Sequence, residues 1–294
     1  YVAQENNLTD MFRTGHQSNV NFALSNSGDL GSFRLSYNYR DYAATSVGAT
    51  NDAHSFNFAG DLKANDFIKL KANTSFSTTK DHNAPYQIGD MVTYGVPREL
   101  DVNLIRDLLM TEEGYNRFSV DRSMGDRYRA TQYIGNYYWS QLVNSNDYRR
   151  NHLIQSLNMD VTFNDNFSWT TLGGMDYTIV DHEIKQHVTQ PLTQESKQGY
   201  YGIQSIRNTT YYAQTAFNYN QTFNEKWDLS VMLGGAVKQN LMENQNQYVM
   251  ENFALENWFS LKNTREDFGP RGSRERGKDL LLSVYGSAQL AYDN

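Results

Sequence analysis

The stretch SNVNFALSNSGDLGSFRLSYNYRDY, residues 18–42, decides the fold. In its first half Val20, Phe22 and Leu24 alternate with Asn19, Asn21, Ala23 and Ser25; in its second Phe33, Leu35, Tyr37 and Tyr39 alternate with Arg34, Ser36, Asn38 and Arg40. A period of two residues puts each set on one face of a strand. Between the halves, Asn26-Ser27-Gly28-Asp29-Leu30-Gly31 supplies the glycine and Asx residues of a tight reversal. The stretch reads as a hairpin with one apolar face and one polar, charged face.

Three more pairs follow. His54, Phe56, Phe58, Gly60 and Leu62 share a face in 53–63, and after Lys63-Ala64-Asn65-Asp66 the chain returns over 67–79 with Ile68, Leu70, Ala72, Thr74 and Phe76 opposite Lys69, Lys71, Asn73 and Ser75. A third pair begins near Asn151 with Leu153, Leu157, Met159, Val161 and Phe163, turns at Asn164-Asp165-Asn166 and returns through Phe167, Trp169, Gly173, Met175, Tyr177 and Ile179. A fourth runs from about Tyr211 through Phe217 and Tyr219, turns at Phe223-Asn224-Glu225-Lys226 and returns with Trp227, Leu229, Val231 and Leu233. Residues 280–292 make a ninth strand.

The connections alternate in length. Within pairs they are short and Asx-rich; between pairs they span about 43–52, 80–148, 181–209 and 239–277. Outer-membrane barrels show this asymmetry, with short periplasmic turns and long extracellular loops, whereas sandwiches mix loop lengths at both ends. Charge placement agrees. An Arg or Lys facing lipid at the bilayer midplane costs about 2–4 kcal/mol, and Arg34, Arg40, Asp61, Lys69, Lys71, Asp160 and Asp176 all fall opposite the apolar sets. Phe167, Trp169, Phe223 and Trp227 sit where a periplasmic aromatic girdle belongs, and Tyr37, Tyr39 and Tyr42 where an outer one does. The competing structure is a soluble two-sheet protein with one wetted face.

Composition narrows the choice. Mean hydropathy is −0.70, yet the chain holds 21 tyrosines, so its strands are built from aromatics and Asn rather than from a Leu/Ile/Val core. No apolar run approaches the roughly 18–20 residues of a spanning helix, which leaves a closed barrel as the way across a bilayer. The absence of cysteine removes disulfides and thiolate chemistry. A net charge of −7 offers no footprint for nucleic acid. No linker or composition shift divides the chain, so residues 1–294 read as one architecture, expected to be an internal piece of a longer protein.

The loops carry the remaining signals. Val102, Ile105, Leu108 and Leu109 recur at helical spacing and predict a helix over 101–111. Tyr128, Tyr133, Tyr137, Tyr138 and Trp139 form an aromatic cluster, and Trp258 stands in the last long loop; such side chains stack on sugars, meet a partner, or pack their own loop. Tyr137, Tyr138, Trp139 and Trp258 are the candidates for substrate or lid contact. Gly269-Pro270-Arg271-Gly272 lacks the Gly-Lys-Ser/Thr ending of a phosphate cradle. His182-Glu183 and His187, placed in a loop, do not have the spacing of a zinc helix, and no cofactor site is read. His152 among Ser and Asn leaves a barrel hydrolase as a minor alternative to a non-enzyme.

With the strands placed, Asp10-Met11-Phe12-Arg13-Thr14-Gly15, Asn19-Val20-Asn21-Phe22, Ser27-Gly28-Asp29 and Phe33-Arg34-Leu35-Ser36-Tyr37 resemble the start of the barrel in SusC/RagA-type TonB-linked outer-membrane transporters. Glu256-Asn257-Trp258-Phe259-Ser260-Leu261 and Leu290-Ala291-Tyr292-Asp293-Asn294 are similar to mid-barrel segments of that family. Asp29 departs from the family's usual second glycine. The resemblance implies nine strands of a plugged barrel of about 22, importing glycans or peptides through the outer membrane. It implies as partners a SusD-like surface lipoprotein lidding the mouth, and the TonB complex acting through a segment outside this chain. Arg34, Arg40, Lys69 and Lys71 would then face the lumen. A passive porin or surface-binding barrel is the alternative.

Overall fold

A computed structural model describes residues 2–89, 96–119, 126–192, 199–250, 253–265 and 269–292, with backbone only for 126–129. Nine strands form one antiparallel sheet in sequence order: β1 (His16–Gly28), β2 (Gly31–Ala43), β3 (Thr50–Lys63), β4 (Ile68–His82), β5 (Ser145–Thr162), β6 (Phe167–Gln186), β7 (Tyr200–Phe223), β8 (Trp227–Met250) and β9 (Arg271–Tyr292). Each pairs only with its sequence neighbours and the sheet is open, with β1 and β9 at its edges, as in part of a barrel. The all-β reading and the nine strands of the sequence are both present.

The turns explain the pairing. Between β1 and β2 only Asp29 and Leu30 intervene. After β3, the Asn65 side-chain oxygen accepts the amides of Phe67 and Ile68, each at 2.9 Å. After β5, Asn164 does the same for Asn166 at 3.0 Å and Phe167 at 2.9 Å. Asn224 and Glu225 take left-handed φ values of 51° and 57° between β7 and β8. Local Asx bonds in two turns and tight or left-handed backbone in the other two thus reverse the chain at one end of the sheet.

Register assigns every side chain to a face. One row runs Leu24–Leu35–Phe58–Thr74–Gln155–Met175–Tyr211–Gln239–Leu280, and all side chains in phase with it share that face. Counting from the turn end, the first Asp, Glu, Lys or Arg on this face is Asp41 in β2, Asp52 in β3, Lys80 in β4, Arg149 in β5, Asp181 in β6, Arg207 in β7, Glu243 in β8 and Lys278 in β9. Below those residues the face is free of these charges. In β9 the apolar run from Leu290 to Leu280 is 11 residues, the length a tilted strand needs to cross hydrocarbon about 25 Å thick. Phe22, Leu24, Leu157, Leu233 and Leu282 stand exposed on it. Gln155 and Thr74 interrupt the apolar character without adding charge.

The structure corrects several boundaries. The strands run past the sequence reading at the loop end: β7 and β8 have 24 residues each, and the connections shrink to 44–49, 83–144, 187–199 and 251–270. Above the charge-free stripe both faces are polar, so the amphipathic signal ends while the hydrogen-bonded ladder continues. His182 and Glu183 therefore lie on β6, not in a loop. Tyr37 and Tyr39 are on the apolar face, but Tyr42 pairs with Gln17 and Asn51 on the other.

Leu233 is 60% exposed near the middle of the stripe, and Met232 beside it points to the opposite face. Leu233→Arg is expected to lower the stability of the membrane-inserted intact protein by about 2–4 kcal/mol, and Met232→Arg by less than about 1 kcal/mol. Equilibrium unfolding from lipid vesicles measures the difference.

Candidate functional site

Residues at the loop end fold into a platform. Helix α1 (Val102–Asp107) is capped by Asp101, whose carboxylate accepts the amides of Asn103 and Leu104 at 3.0 Å each. It is shorter than the helix predicted over 101–111. Helix α2 (Asp126–Tyr138), which runs into a π-helical turn Trp139–Val143, was not read from the sequence. Ala130, Ile134 and Tyr137 recur at helical spacing there, and that signal was legible.

These helices pack on the start of the chain. Met11, Val102, Ile105, Ile134, Tyr137 and Tyr138 are buried together. The Tyr137 hydroxyl donates to the Met11 carbonyl at 3.0 Å and accepts the Val47 amide at 3.2 Å. Arg13 bonds the Ala44 and Ala49 carbonyls at 2.9 and 2.7 Å. Gly48 has φ +78°, and a Cβ there would lie 1.9 Å from the Gln141 carbonyl oxygen, so only glycine lets this loop close on the π-turn. Asn83 donates to the Gln141 and Asn144 carbonyls at 3.2 and 3.3 Å and accepts the Asn146 amide at 2.9 Å.

The later loops join the same body. Glu256 accepts the Tyr115 hydroxyl at 2.6 Å and the Leu192 amide at 2.9 Å, and Asn257 accepts the Val188 amide at 2.9 Å. The hydrogen bond to Glu256, with burial and the carboxylate charge, pushes the Tyr115 phenol pKa up. Asn263 is fully buried; it donates to the Leu255 and Trp258 carbonyls at 2.6 and 2.7 Å and accepts the Ala254 and Leu255 amides at 3.1 and 2.8 Å. Sequence reasoning missed Asn83 and Asn263, because an Asn inside a loop carries no periodic signal.

The aromatic candidates divide. Tyr137 and Tyr138 have no exposed surface and Trp139 almost none, so in this structure they are packing residues of the platform and offer no face to a solute. Burial pushes the Tyr138 phenol up to about 12. The Tyr128 side chain lies outside the described residues. Trp258 is 51% exposed beside exposed Leu255, so it remains available for contact.

Arg34, Arg40, Lys69 and Lys71 share the polar face. Arg34, Lys69 and Lys71, with Asp61, Lys63 and Asn73, line a hollow of about 820 Å³ near the turns. Lys71 approaches Asp160 at 3.4 Å, and Asp61 accepts the Ser32 hydroxyl. Arg40 lies farther up and donates to Asn51 at 2.8 Å, so the structure does not bring all four cations together. His152 Nε2 meets Asp176 Oδ1 at 2.9 Å on this face.

A second hollow, about 750 Å³, lies where the strands rise above the charge-free stripe; Asp52, Lys80, Asp147, Arg149, Asp181 and Glu183 are among its lining residues. His82 pairs with Asp147 at 2.6 Å, and Ser205 donates to Asp181 at 3.0 Å. Sequence reading missed it because it placed 80–148 and 181–209 in loops.

No family model matches the sequence, and no curated protein matches it at the sequence level. Solved structures do match. The RagAB peptide importer in its open-open state superimposes with a TM-score of 0.73 at 14% identity, over 97% of this chain and 31% of that one. The ferric-catecholate import receptor Fiu from E. coli K12, closed form, gives 0.52 at 12% identity over 94% and 38%. FpvA of P. aeruginosa, bound to a heterologous pyoverdine and iron, gives 0.51 at 12% over 93% and 33%. The chain thus has the fold of part of these barrels and spans about a third of the length of each.

His187 tests how the platform is locked. Its ring meets Phe259 at 4.8 Å and Trp139 at 6.4 Å edge-on, and burial lowers its pKa. A histidine depressed in the folded state adds stability above its ordinary value of about 6.5 and loses it as pH falls through the lower folded value. Amides of 187–189 and 253–263 are expected to exchange faster at about pH 5 than about pH 7.5, after correction for intrinsic rates. His187→Phe should abolish that difference in hydrogen-exchange mass spectrometry.

Proposed function

We propose that this chain is part of the barrel of a TonB-dependent outer-membrane importer, taking up peptides or glycans. The observation that carries the reading is the charge-free stripe on one face of all nine strands, joined to a sheet that superimposes on the RagAB peptide importer. The likeness of fold is higher to the RagAB peptide importer than to the two iron-uptake receptors, 0.73 against 0.52 and 0.51, and the choice of peptides or glycans as solute rests on the sequence resemblance. The turns would face the periplasm and the platform the exterior.

In this reading the polar face looks into the barrel. Arg34, Lys69 and Lys71 line its periplasmic half and Arg40 its upper wall, where they hydrate the lumen and meet the acidic groups of a plug or a passing solute. A SusD-like lipoprotein docks on the platform, with Trp258 and Leu255 as contacts. Import draws energy from the TonB complex, and the barrel makes or breaks no bond in the solute.

Uptake of a labelled peptide and oligosaccharide panel by cells bearing the intact protein, with and without a working TonB complex, tests the proposal. Accumulation should vanish without TonB. Uptake that persists would make the barrel a passive porin. A cysteine introduced at exposed Gln245, at the loop end of β8 and outside the docking platform, should be labelled in intact cells, and one at Asp165 in the β5–β6 turn should not.

A further inference from the structure

Charge is segregated on the lipid-side face just above the stripe. Across β2–β6 this belt carries five carboxylates, Asp41, Asp52, Asp147, Asp181 and Glu183, against the cations Lys80, Arg149 and Lys185. Across β7–β9 it carries Arg207, Arg274, Arg276 and Lys278 against Glu243 alone. Arg274 bonds Glu243 through Nε at 2.7 Å and again through Nη2, and Arg276 stays 3.7 Å away. One carboxylate leaves most of this positive charge uncompensated. The Arg276 side chain is 65% exposed, and Arg207 and Lys278 are exposed as well. Although β9 is an edge strand, the pairing register, not exposure, sets the face of its side chains. Glu275 and Asp279 lie on the opposite face of the strand.

Height decides what these cations meet. Lys278 follows Leu280 by one alternate position, and Arg276 and Arg274 follow by two and three. Two residues of strand advance about 6.7 Å, or about 5 Å along the normal at a tilt near 40°. Lys278 and Arg276 therefore stand about 5 and 10 Å above the last apolar side chain, within reach of the head-group layer. Flexible Arg and Lys stems extend towards phosphate there.

We propose that Arg207, Arg274, Arg276 and Lys278 form a binding surface for the anionic, phosphate-bearing head groups of lipids in the loop-end leaflet. The inference rests on the reading that the apolar face meets lipid. Its effect would be to fix the orientation of the β7–β9 side of the barrel in the leaflet, with the acidic β2–β6 side left to neutral or cation-bridged lipid.

The test uses the intact protein in nanodiscs of phosphatidylcholine with a minor fraction of phosphatidylglycerol, and reads the lipids retained by native mass spectrometry. Wild type should retain phosphatidylglycerol in excess of its bulk fraction. Arg276→Glu with Lys278→Glu should cut that excess about tenfold, while Arg276→Lys with Lys278→Arg keeps it. Lys80→Glu with Arg149→Glu, on the acidic side, should leave it unchanged. Heat-modifiable migration on gels confirms that each variant is folded. Equal retention by the charge-reversed pair, equal loss in the β4–β5 control, or full displacement by inorganic phosphate would overturn the proposal. A fluorophore at Val284→Cys, quenched by lipid-borne quenchers, checks the lipid-facing reading separately. Quenching there without any change in lipid retention would defeat this inference alone.

Discussion

A strand in hydrocarbon must have every backbone N–H and C=O paired by its neighbours and must present no charge to the lipid. Both halves of that constraint are visible here, the pairing in β2–β8, which are each flanked by a strand on both sides. Nine strands pair in sequence order through a continuous register, and on one face the first charged side chain of β2–β9 waits until the strand has travelled at least ten residues from its turn. The other face is released from the constraint and carries Arg34, Lys69, Lys71, Asp160 and Asp176. The same rule gives the sheet its two unlike ends. At one end tight turns reverse the chain cheaply; at the other the strands outlast the apolar band and lift the loops clear of it.

Above the band, pairing passes from the ladder to side chains. The platform is built largely from irregular backbone, whose buried polar groups need partners. Asn83, Arg13, Tyr137 and Glu256 supply them by linking segments distant in sequence, and Asn263 by closing its own loop. The three longer loops and the start of the chain therefore behave as one packed unit on top of the sheet, with exposed Trp258 and Leu255 on its surface.

The hairpins were legible because each obeys a period of two and ends in Asn or Gly, and the charge-free face could be drawn from residues 18–42 alone. What stayed hidden has physical causes. The upper parts of β5–β9 are polar on both faces, so alternation gave no sign of Tyr200–Thr210 or Asn240–Met250 as strand. Tyr42 looked like a girdle residue by composition, but parity puts it on the other face. Tyr137 and Tyr138 read equally well as exposed stackers or as core, since aromatic identity does not encode burial; only tertiary packing decides for core. The four basic candidates share the face opposite the apolar row, yet their separation along the strands, Arg40 above the other three, follows from register and is invisible in a list of residues.

A membrane-spanning sheet of this design requires its apolar face to meet lipid. Single cysteines placed from Leu280 to Leu290 in β9 of the intact, membrane-embedded protein, each carrying a nitroxide, report exposure to lipid-soluble oxygen against a water-soluble nickel chelate. Leu280, Leu282, Val284, Gly286, Ala288 and Leu290 should favour oxygen, and Leu281, Ser283, Tyr285, Ser287 and Gln289 should not, a period of two over the whole run. A flat profile, or one with the two sets exchanged, would contradict that placement.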